Sequence, residues 1–275
     1  MTLPRSNDGQ KQASSAFGLL TPDDCAACPL ATAVLCQKLR TTEAVGQTAP
    51  RLRSVPRDTV LVNESEIPNF TGVLRKGLAR ITRHAEDGYR KILALNQMGD
   101  LIGDWPGRPS GLTLEAATDV EICTFDRRLV SRILDKDPSA RMFILREFDT
   151  QNYRQLDLVW RRGALSSAER IMAFIVGATR VMPTERRADG GLLVKITLGR
   201  RDWADLTSTT VETICRTLAD LSRLDLVHQL KPGHYLIRNF EALMQMVSMD
   251  PVSENEWRDS VGQRDGAGLP ALPSG

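Results

Sequence analysis

The sequence predicts an α+β fold of three units in series: a roll of short β-strands, one long helix and a C-terminal winged helix-turn-helix. Short apolar runs punctuated by glycines extend from Asp58 to about Phe125, a pattern typical of a double-sheet roll. A long helical stretch follows Asp137-Pro138. Two strand-like runs come after a helix that begins near Val211, which predicts a β wing next to that helix.

Composition limits the class of protein. The 275 residues include 36 Lys and Arg against 34 Asp and Glu, a formal charge of +2, so any basic surface for nucleic acid would have to be local. The sequence contains no signal-peptide pattern and no apolar run long enough to cross a membrane. We therefore expect a cytoplasmic protein with no membrane partner and with reduced cysteines. Because no catalytic constellation can be picked out, we expect it not to be an enzyme.

The N-terminal region combines a polar tail with a cysteine-rich segment. Residues 1–20 lack periodicity, and we expect them to be disordered. Three cysteines follow within one short segment, Cys25, Cys28 and Cys36. Closely spaced thiolates in a reducing compartment suit zinc or an iron–sulfur cluster, and either needs a fourth ligand. Since no histidine or other cysteine lies close by in the sequence, the residues alone leave both possibilities open.

The region from residue 21 to 136 is predicted to be one unit that consists largely of short strands. Strands are expected at residues 59–62, 78–82, 89–95 and 119–125. The last of them contains Cys123, the remaining cysteine outside the C-terminal helices. A lone cysteine in a strand is commonly a small buried side chain, so position alone does not make Cys123 a ligand.

The next unit, residues 137–163, reads as one long helix. Asp137 is a good N-cap and Pro138 a good first helical residue, and the helix is expected to run to about Arg162. Its length suits dimerisation, and polar residues in the seam would lower the stability of the pairing while fixing its register. Met142 and Leu156 define an alternative packing face. In heptad register the predicted seam contains Leu145, Phe148, Asn152, Gln155 and Val159.

A new domain, residues 164–250, is expected after a break at Gly163-Ala164. Ser166 and Glu169 have the spacing of a capping box at the start of the next helix, one face of which is apolar. After Asp250 the chain is rich in Gly, Pro and charge, and residues 251–275 are predicted to be a disordered tail. The apolar face of the capped helix comprises Ile171, Phe174, Ile175 and Ala178.

A helix-turn-helix follows within this domain. A segment with Trp203 and Leu206 leads into the polar turn 207–209, and Thr210 is a good N-cap for a helix beginning at Val211. The period of 3.6 residues divides that helix into an apolar and a polar face. Ile214, Leu218 and Leu221 share the first, and Glu212, Cys215 and Arg216 share the second.

The side chains on the polar face can form hydrogen bonds with the edges of DNA bases. Arginine can bond a guanine edge in bidentate fashion and a carboxylate can accept from the cytosine amino group, so Arg216 and Glu212 each have a matching base. An ordinary Glu–Arg surface pair four residues apart is the alternative, worth only about 0.2–0.5 kcal/mol. The predicted strands 226–230 and 235–239, joined by a Pro-Gly turn, make a wing and favour double-stranded DNA as the partner.

These residues resemble those of the CRP/FNR family of bacterial transcription regulators. The likeness rests on Arg201-Asp202, on the stretch from Thr210 to Arg216 and on the wing, and it extends over roughly residues 25–249. The FNR branch usually has Glu-x-x-Ser-Arg where this chain has Cys215 in place of the serine. The turn has Ser208 where the family often has glycine. The resemblance implies a cyclic-nucleotide-binding-like β-roll, a homodimer on DNA, and DNA contacts from Thr210, Glu212, Cys215 and Arg216.

The resemblance also implies a cofactor. FNR-type members hold a [4Fe–4S] cluster with three N-terminal cysteines and one in the later strands of the sensor domain. Cys25, Cys28, Cys36 and Cys123 match this arrangement. Nucleotide-binding members carry an Arg-Ser pair where this chain has Ser110-Gly111, with Arg108 displaced, so a cyclic nucleotide is not expected.

The sequence therefore predicts an oxygen-sensing regulator that binds a palindromic TTGA-like site as a dimer and acts on RNA polymerase. Two alternatives remain at this stage. A family member could sense nitric oxide through haem, or an organic effector, with structural cysteines. The chain could also be a zinc-stabilised interaction protein whose winged helix serves contacts only.

Overall fold

The chain is described by a computed structural model over residues 16–20, 22–31, 36–37, 50–84, 90–103 and 109–247. The C-terminal tail predicted for residues 251–275 lies outside these ranges. So do residues 1–15 of the predicted N-terminal tail and Arg108.

The N-terminal half is a β-roll of two antiparallel sheets. Within the described residues the first sheet has the strand order β1-β2-β9-β4-β7 and the second the order β3-β8-β5-β6. Buried side chains from both sheets, including Ile122 of the first and Leu114 of the second, form one core between them. The double-sheet roll predicted from the glycine-punctuated strands is confirmed. The strands are β1 Ala16–Leu19, β2 Arg51–Val55, β3 Val60–Val62, β4 Thr71–Lys76, β5 Ala79–His84, β6 Arg90–Asn96, β7 Leu101–Gly103, β8 Thr113–Ala116 and β9 Val120–Phe125.

The predicted disorder of residues 1–20 is wrong for the end of that segment. Strand β1 pairs with β2 in antiparallel register, from Ala16 opposite Ser54 to Leu19 opposite Arg51. Leu20 is buried in the apolar cluster beneath. Residues 16–20, Ala-Phe-Gly-Leu-Leu, form a short apolar run within the polar segment, and their pairing with β2 depends on a distant part of the chain.

Seven helices and four further strands complete the described chain. Helix α2 was not predicted. The helices are α1 Pro22–Ala26, α2 Arg127–Lys136, α3 Pro138–Ala164, α4 Ser167–Val181, α5 Arg200–Leu206, α6 Val211–Arg223 and α7 Phe240–Met246, and the strands are β10 Thr184–Arg186, β11 Leu192–Lys195, β12 Val227–Lys231 and β13 His234–Ile237.

The start of the long helix α3 is as predicted. Asp137 is its N-cap and accepts hydrogen bonds from the backbone of Ser139 at 2.8 Å and of Ala140 at 3.2 Å. The predicted break at Gly163-Ala164 is wrong, because the helix includes both residues and has Leu165 as its C-cap. A glycine in the last turn weakens a helix without stopping it.

A capping box at the start of α4 follows directly after the end of α3. Ser166 and Glu169 form the predicted capping box, in which Glu169 accepts from the Ser166 backbone at 2.7 Å and the Ser166 hydroxyl accepts from the Glu169 backbone at 3.3 Å. Two reciprocal bonds satisfy two backbone donors at the start of α4.

Helix α3 has one face on the roll and one in solvent. Gln151 donates to the carbonyl of Leu101 at 3.3 Å, and Arg154 bonds the buried carboxylate of Asp100 at 2.6 Å. The opposite side carries an exposed apolar stripe, which we call the exposed stripe. Its members are Met142, Leu145, Asn152, Leu156 and Val159, while Phe148 and Gln155 lie along its edge and are less exposed. The two faces that the sequence offered as alternatives are thus parts of one surface.

The C-terminal domain is a winged helix-turn-helix. Its four-stranded antiparallel sheet has the order β10-β11-β13-β12, and the hairpin of β12 and β13 is the predicted wing. Gly233 has a φ of +77°, as the third position of a type II turn requires. Strands β10 and β11 were not predicted. The predicted fold class, a β-roll followed by a long helix and a winged helix-turn-helix, is confirmed.

Candidate nucleic-acid interface and cysteine site

Trp203 is the centre around which the C-terminal domain is assembled. Its side chain is 1 % exposed, with the ring of Phe174 stacked on it at a centroid distance of 4.8 Å and the ring of Tyr235 edge-on at 5.7 Å. These three rings come from α5, α4 and the wing. Because they are buried against one another, they fix the position of the elements that flank helix α6.

The turn between α5 and α6 is held by hydroxyl groups. The Thr207 hydroxyl donates to the carbonyl of Trp203 at 2.9 Å, and Thr209 lies 2.8 Å from the same hydroxyl. Ser208 has a φ of +48°, in the left-handed region that favours glycine. This conformation explains why a glycine is common at this turn in the family that the sequence resembles.

Helix α6 presents the predicted base-reading residues. The Thr210 hydroxyl caps the helix by accepting from the backbone of Thr213 at 3.1 Å, and Ile214, Leu218 and Leu221 are buried. Glu212 and Arg216 form an ion pair at 2.9 Å, with side chains 81 % and 69 % exposed. The Cys215 thiol is exposed on the same part of the helix.

The arrangement of this face allows groove reading but does not require it. An exposed pair four residues apart also stabilises an ordinary helix by about 0.2–0.5 kcal/mol. What distinguishes this helix is its setting: its apolar side is packed into the core that contains Trp203, its polar side is exposed, and the wing strand β12 is its neighbour. Such a setting is that of a recognition helix in a helix-turn-helix protein.

A cluster of charges, buried at Arg80, Glu115 and Asp202, joins the C-terminal domain to the roll, and sequence reasoning missed it. The Arg80 guanidinium donates to Glu115 at 2.7 Å, to Asp202 at 2.8 Å and to Asp58 at 2.8 Å. Arg90 binds the other oxygen of Asp202 at 2.6 Å. We call these five residues the interdomain charge cluster. Asp202 belongs to α5 and the other four to the roll, so the bonds of this cluster cross between domains.

The contacts of Arg80 decide the direction of its pKa shift. Burial by itself lowers the pKa of Arg80, but the hydrogen bond to Glu115 and the charge of Asp202 outweigh it, and the net shift is upward. Arg80 therefore remains charged. Lys91 extends the contact between domains, at 3.2 Å from the carboxylate of Asp205. The sequence carried no signal for this cluster, since isolated charged residues normally face solvent.

The four predicted cysteine ligands line one cavity. Cys25 lies in α1, Cys28 in the turn after it, and Cys36 further along the N-terminal segment, while Cys123 comes from β9. Cys28 is held by its backbone, which donates to the carbonyl of Cys25 at 3.3 Å, and its sulfur accepts from the backbone of Leu30 at 3.4 Å. The structure thus brings a strand cysteine to the three N-terminal ones.

Burial and neighbouring groups shift the pKa values of Cys123 and Arg75 at the cysteine cavity. Burial raises the pKa of Cys123 to about 12, and the nearby thiols of Cys36 and Cys28 add to the rise. Arg75 lines the same cavity. Burial tends to lower the pKa of Arg75, but the hydrogen bond and the charge interaction with Cys28 outweigh it, and the net shift is upward. A cation in this cavity would favour the thiolate forms.

The spacing of the donors bears on which metal group fits. Among the described residues, no three His, Cys, Asp or Glu side chains lie close enough to hold one metal ion. Tetrahedral zinc needs all its sulfurs about 2.3 Å from a single ion. A multi-iron cluster takes its thiolates at separate corners and accepts wider spacing. Four thiols on one cavity with apolar walls are a soft donor set of the kind that an iron–sulfur cluster takes.

Ser110 and Gly111 stand where nucleotide-binding members of the family hold the phosphate, and Ser110 forms hydrogen bonds within the chain there. The Ser110 hydroxyl donates to the carbonyl of Leu112 at 2.6 Å, and the Ser110 backbone donates to the carbonyl of Glu66 at 2.8 Å. Gly111 has open space around it. Arg108, the displaced arginine of the prediction, lies outside the described ranges.

Two family models match the chain. The cyclic nucleotide-binding domain model covers residues 52–137, and the Crp-like helix-turn-helix domain model covers residues 169–246. These matches coincide with the β-roll and with the winged helix-turn-helix. None of the described helices is both long and apolar enough to cross a membrane.

Curated relatives carry regulatory names. The chain is 28 % identical to the transcriptional activatory protein AadR of Rhodopseudomonas palustris over 71 % of this chain and 81 % of AadR. It is 24 % identical to the transcriptional activator protein FnrL of Cereibacter sphaeroides over 82 % of this chain and 92 % of FnrL. Among solved structures, FixK2 of Bradyrhizobium japonicum superposes with a TM-score of 0.66 at 20 % identity, over 74 % of this chain and 99 % of FixK2, which shows a shared fold.

Proposed function

Because the chain belongs to the CRP/FNR family of transcription regulators, we propose that it is an FNR-type DNA-binding regulator that responds to oxygen through a [4Fe–4S] cluster. The observation that carries this proposal is the convergence of Cys25, Cys28, Cys36 and Cys123 on one cavity. Three of these residues lie between β1 and β2, and the fourth lies in β9. An ordinary buried core cysteine would have no reason to meet the other three.

The four thiolates would hold the cluster, and a bound cluster would supply an oxygen-labile, redox-active group. The chain's part is to tie its N-terminal segment to strand β9 through these side chains. Arg75 would place a positive charge beside the sulfurs. Leu20, Val73 and Phe125 line the cavity and limit access of water.

The cysteine site is connected to the long helix by packing. Cys123 and Phe125 belong to the same apolar cluster as Leu129 of α2 and Ile144 of α3, and Cys25 packs against that cluster. A rearrangement of the N-terminal segment would therefore disturb the contacts that position the start of α3. This gives a physical route from the cysteines to the dimerisation helix.

The exposed stripe is the proposed dimer contact. Leu145, Leu156 and Val159 are 60 %, 57 % and 61 % exposed in the single chain, which is unusual for three large apolar residues on one helix face. Asn152 interrupts the apolar surface, and a polar seam residue lowers the stability of a helix pair. A marginal dimer could be controlled by a contribution of a few kcal/mol from the sensor domain.

The DNA reader is α6, with Thr210, Glu212, Cys215 and Arg216 as the proposed contact residues. In a dimer, two such helices would enter successive major grooves and read an inverted repeat of TTGA-like half-sites about one helical turn apart. RNA polymerase is the proposed partner at the promoter. Regulation of transcription would then depend on the fraction of the protein that is dimeric and able to bind DNA.

Protein purified without air tests the proposal directly. We expect a brown protein with iron and acid-labile sulfide, and an absorption spectrum that bleaches on exposure to air. Zinc without iron would identify the alternative, a zinc-stabilised protein. Protein with neither metal, but with tight DNA binding in air and without it, would contradict the oxygen-sensing proposal.

Arg216→Ala tests the reader. We expect specific DNA binding to weaken by about 1–3 kcal/mol, with relaxed discrimination at one guanine in each half-site, because a bidentate contact to a base edge is lost. Binding isotherms on the specific site and on random DNA provide the measurement. Equal losses on both would mean that Arg216 contacts phosphate only. Arg223→Ala, at the other end of the same helix, is the matched control.

Cys215→Ser tests the departure from the family pattern. A thiol is a weaker donor and acceptor than a hydroxyl, so the serine variant should discriminate more sharply at one base pair of each half-site. Affinity for a library of single-base variants of the site measures this. Unchanged preferences at every position would show that the side chain at 215 reads no base.

A further inference from the structure

A second cavity lies where the roll, the long helix and the C-terminal domain meet. Its volume is about 230 Å³, and one side opens to solvent. Its walls include Leu95 from the roll, Leu158 from α3, Phe174 and Gly177 from α4, and Leu206 from the end of α5. It shares no residue with the cysteine cavity.

Most of the α3 residues that line the cavity lie on the side of the helix away from the exposed stripe, while Tyr153 lies at the border between the two. At about 100° per residue, Leu158 and Arg161 point away from the stripe that contains Leu145 and Leu156. A helix pair formed through the stripe would therefore approach the cavity at Tyr153 and leave its Leu158 and Arg161 side uncovered. The space is compatible with the proposed dimer.

Gly177 is the most informative residue of the wall. It lies within helix α4, where glycine costs about 1 kcal/mol relative to alanine. A Cβ at Gly177 would meet nothing within 4 Å, so close packing does not require a glycine there. The missing side chain instead keeps the cavity open.

The polar groups of the wall are strongly positive. Five arginines and one aspartate line the cavity. Arg154 is paired with Asp100 and Arg161 with Asp157. Arg162 instead donates to the carbonyls of Leu206 and Ile92, and Arg170 to carbonyls that include Thr207 and to the Ser167 hydroxyl.

Within the described residues no ion pair joins Arg162 or Arg170 to a carboxylate, although the charge of Asp205 acts on Arg162. Carbonyl acceptors satisfy their N–H groups without neutralising their charge. Two such guanidiniums beside an apolar space offer what an anion with an apolar body needs. The five hydrogen bonds of Arg170 occupy all of its N–H groups, so Arg170 would attract an acidic group through its charge, while the apolar body of the ligand would leave water.

We propose that this cavity binds a small aromatic carboxylate, as an effector site separate from the cysteines. An apolar cavity of about 150 Å³ holds benzene, so about 230 Å³ accommodates one ring with a short acidic substituent. Phe174 provides a face for the ring. Since the walls come from three units, an occupant that prefers one arrangement of them shifts the equilibrium between arrangements.

The test uses the full-length protein purified without air and 3-phenylpropanoate as the probe, with calorimetry as the measurement. We expect saturable binding with one site per chain, at least about tenfold tighter than 3-phenylpropanamide, which lacks the charge. Hexanoate should bind more weakly than the aromatic acid. Equal affinity for the amide, or tighter binding of hexanoate, would overturn the assigned ligand class.

Substitutions locate the site. Gly177→Leu should abolish binding by filling the space, and Gly177→Ala should weaken it while raising the melting temperature. Ala168→Leu, an exposed change in the same helix, is the matched control and should bind normally. Both Gly177 variants binding like the unmodified protein, or no binding of the acid at millimolar concentration, would overturn the proposal. The alanine variant keeps the test valid if the leucine variant folds poorly.

Discussion

Arg80→Ala should lower the free energy of unfolding by about 3–5 kcal/mol, because it leaves buried carboxylates without their main partner. Asp202 and Glu115 are 5 % and 9 % exposed at their side chains, and the Arg80 guanidinium is bonded to both. Arg90 contacts the same two carboxylates but is itself 28 % exposed, so it compensates them only in part. Urea unfolding of the two proteins measures the difference.

The control for this prediction is Arg238→Ala. Arg238 and Asp189 form an ion pair at 3.0 Å, comparable in length, but their side chains are 41 % and 45 % exposed. Exposed pairs contribute about 0–1 kcal/mol, so this variant should differ little from the unmodified protein. Similar losses for both arginines would show that burial is not what makes the interdomain charge cluster matter.

A double-mutant cycle separates the pair from the cluster. Asp202 lies in α5 and Arg80 in the roll, so a coupling energy between Arg80→Ala and Asp202→Ala reports contact between the domains. We expect a coupling well above the usual additivity error of about 0.3–0.5 kcal/mol. A value within that error would mean that the two domains do not hold this arrangement in solution.

Cys123→Ala should remove iron and sulfide from protein purified without air and weaken binding to the inverted repeat by roughly 100-fold, or about 2.7 kcal/mol. The reason is that Cys123 is the proposed ligand that ties the N-terminal cysteines to the roll. Metal analysis, sedimentation and DNA binding under anaerobic conditions provide the readouts.

Cys215→Ala is the matched control for the loss of a thiol. Cys215 is exposed on the recognition helix and lies outside the cysteine cavity, so its loss should leave the iron content unchanged. If Cys123→Ala retains normal iron and remains a tight DNA-binding dimer, Cys123 is a core residue only. The proposed oxygen response would then need another sensor.

Local features of this protein were readable from sequence because neighbouring residues produce them. Asp137 caps α3, Ser166 and Glu169 close a capping box, and Thr210 caps α6, all through bonds that span two or three residues. Gly233 turns the wing because the turn itself needs a positive φ. Such interactions do not depend on the rest of the chain, and so a pattern of residue types reveals them.

The cysteine site needed more than local pattern. The spacing of Cys25, Cys28 and Cys36 indicated metal chemistry but left zinc and iron–sulfur both open, and family resemblance supplied Cys123 as the fourth ligand. Only the pairing of β9 with β2 and β4 brings Cys123 to the cavity that the other three line. Which strand meets which is decided by long-range packing.

Tertiary structure alone decided the contact between domains and the second cavity. Nothing in the sequence near Arg80 points to Asp202, and the pairing of β1 with β2 and the open wall at Gly177 likewise depend on distant segments. Sequence by itself determined the caps, the turns and the amphipathic faces, because these arise from bonds and periodicity within a few residues. The buried charges and the cavity depend on surfaces from distant segments that meet only in the folded chain.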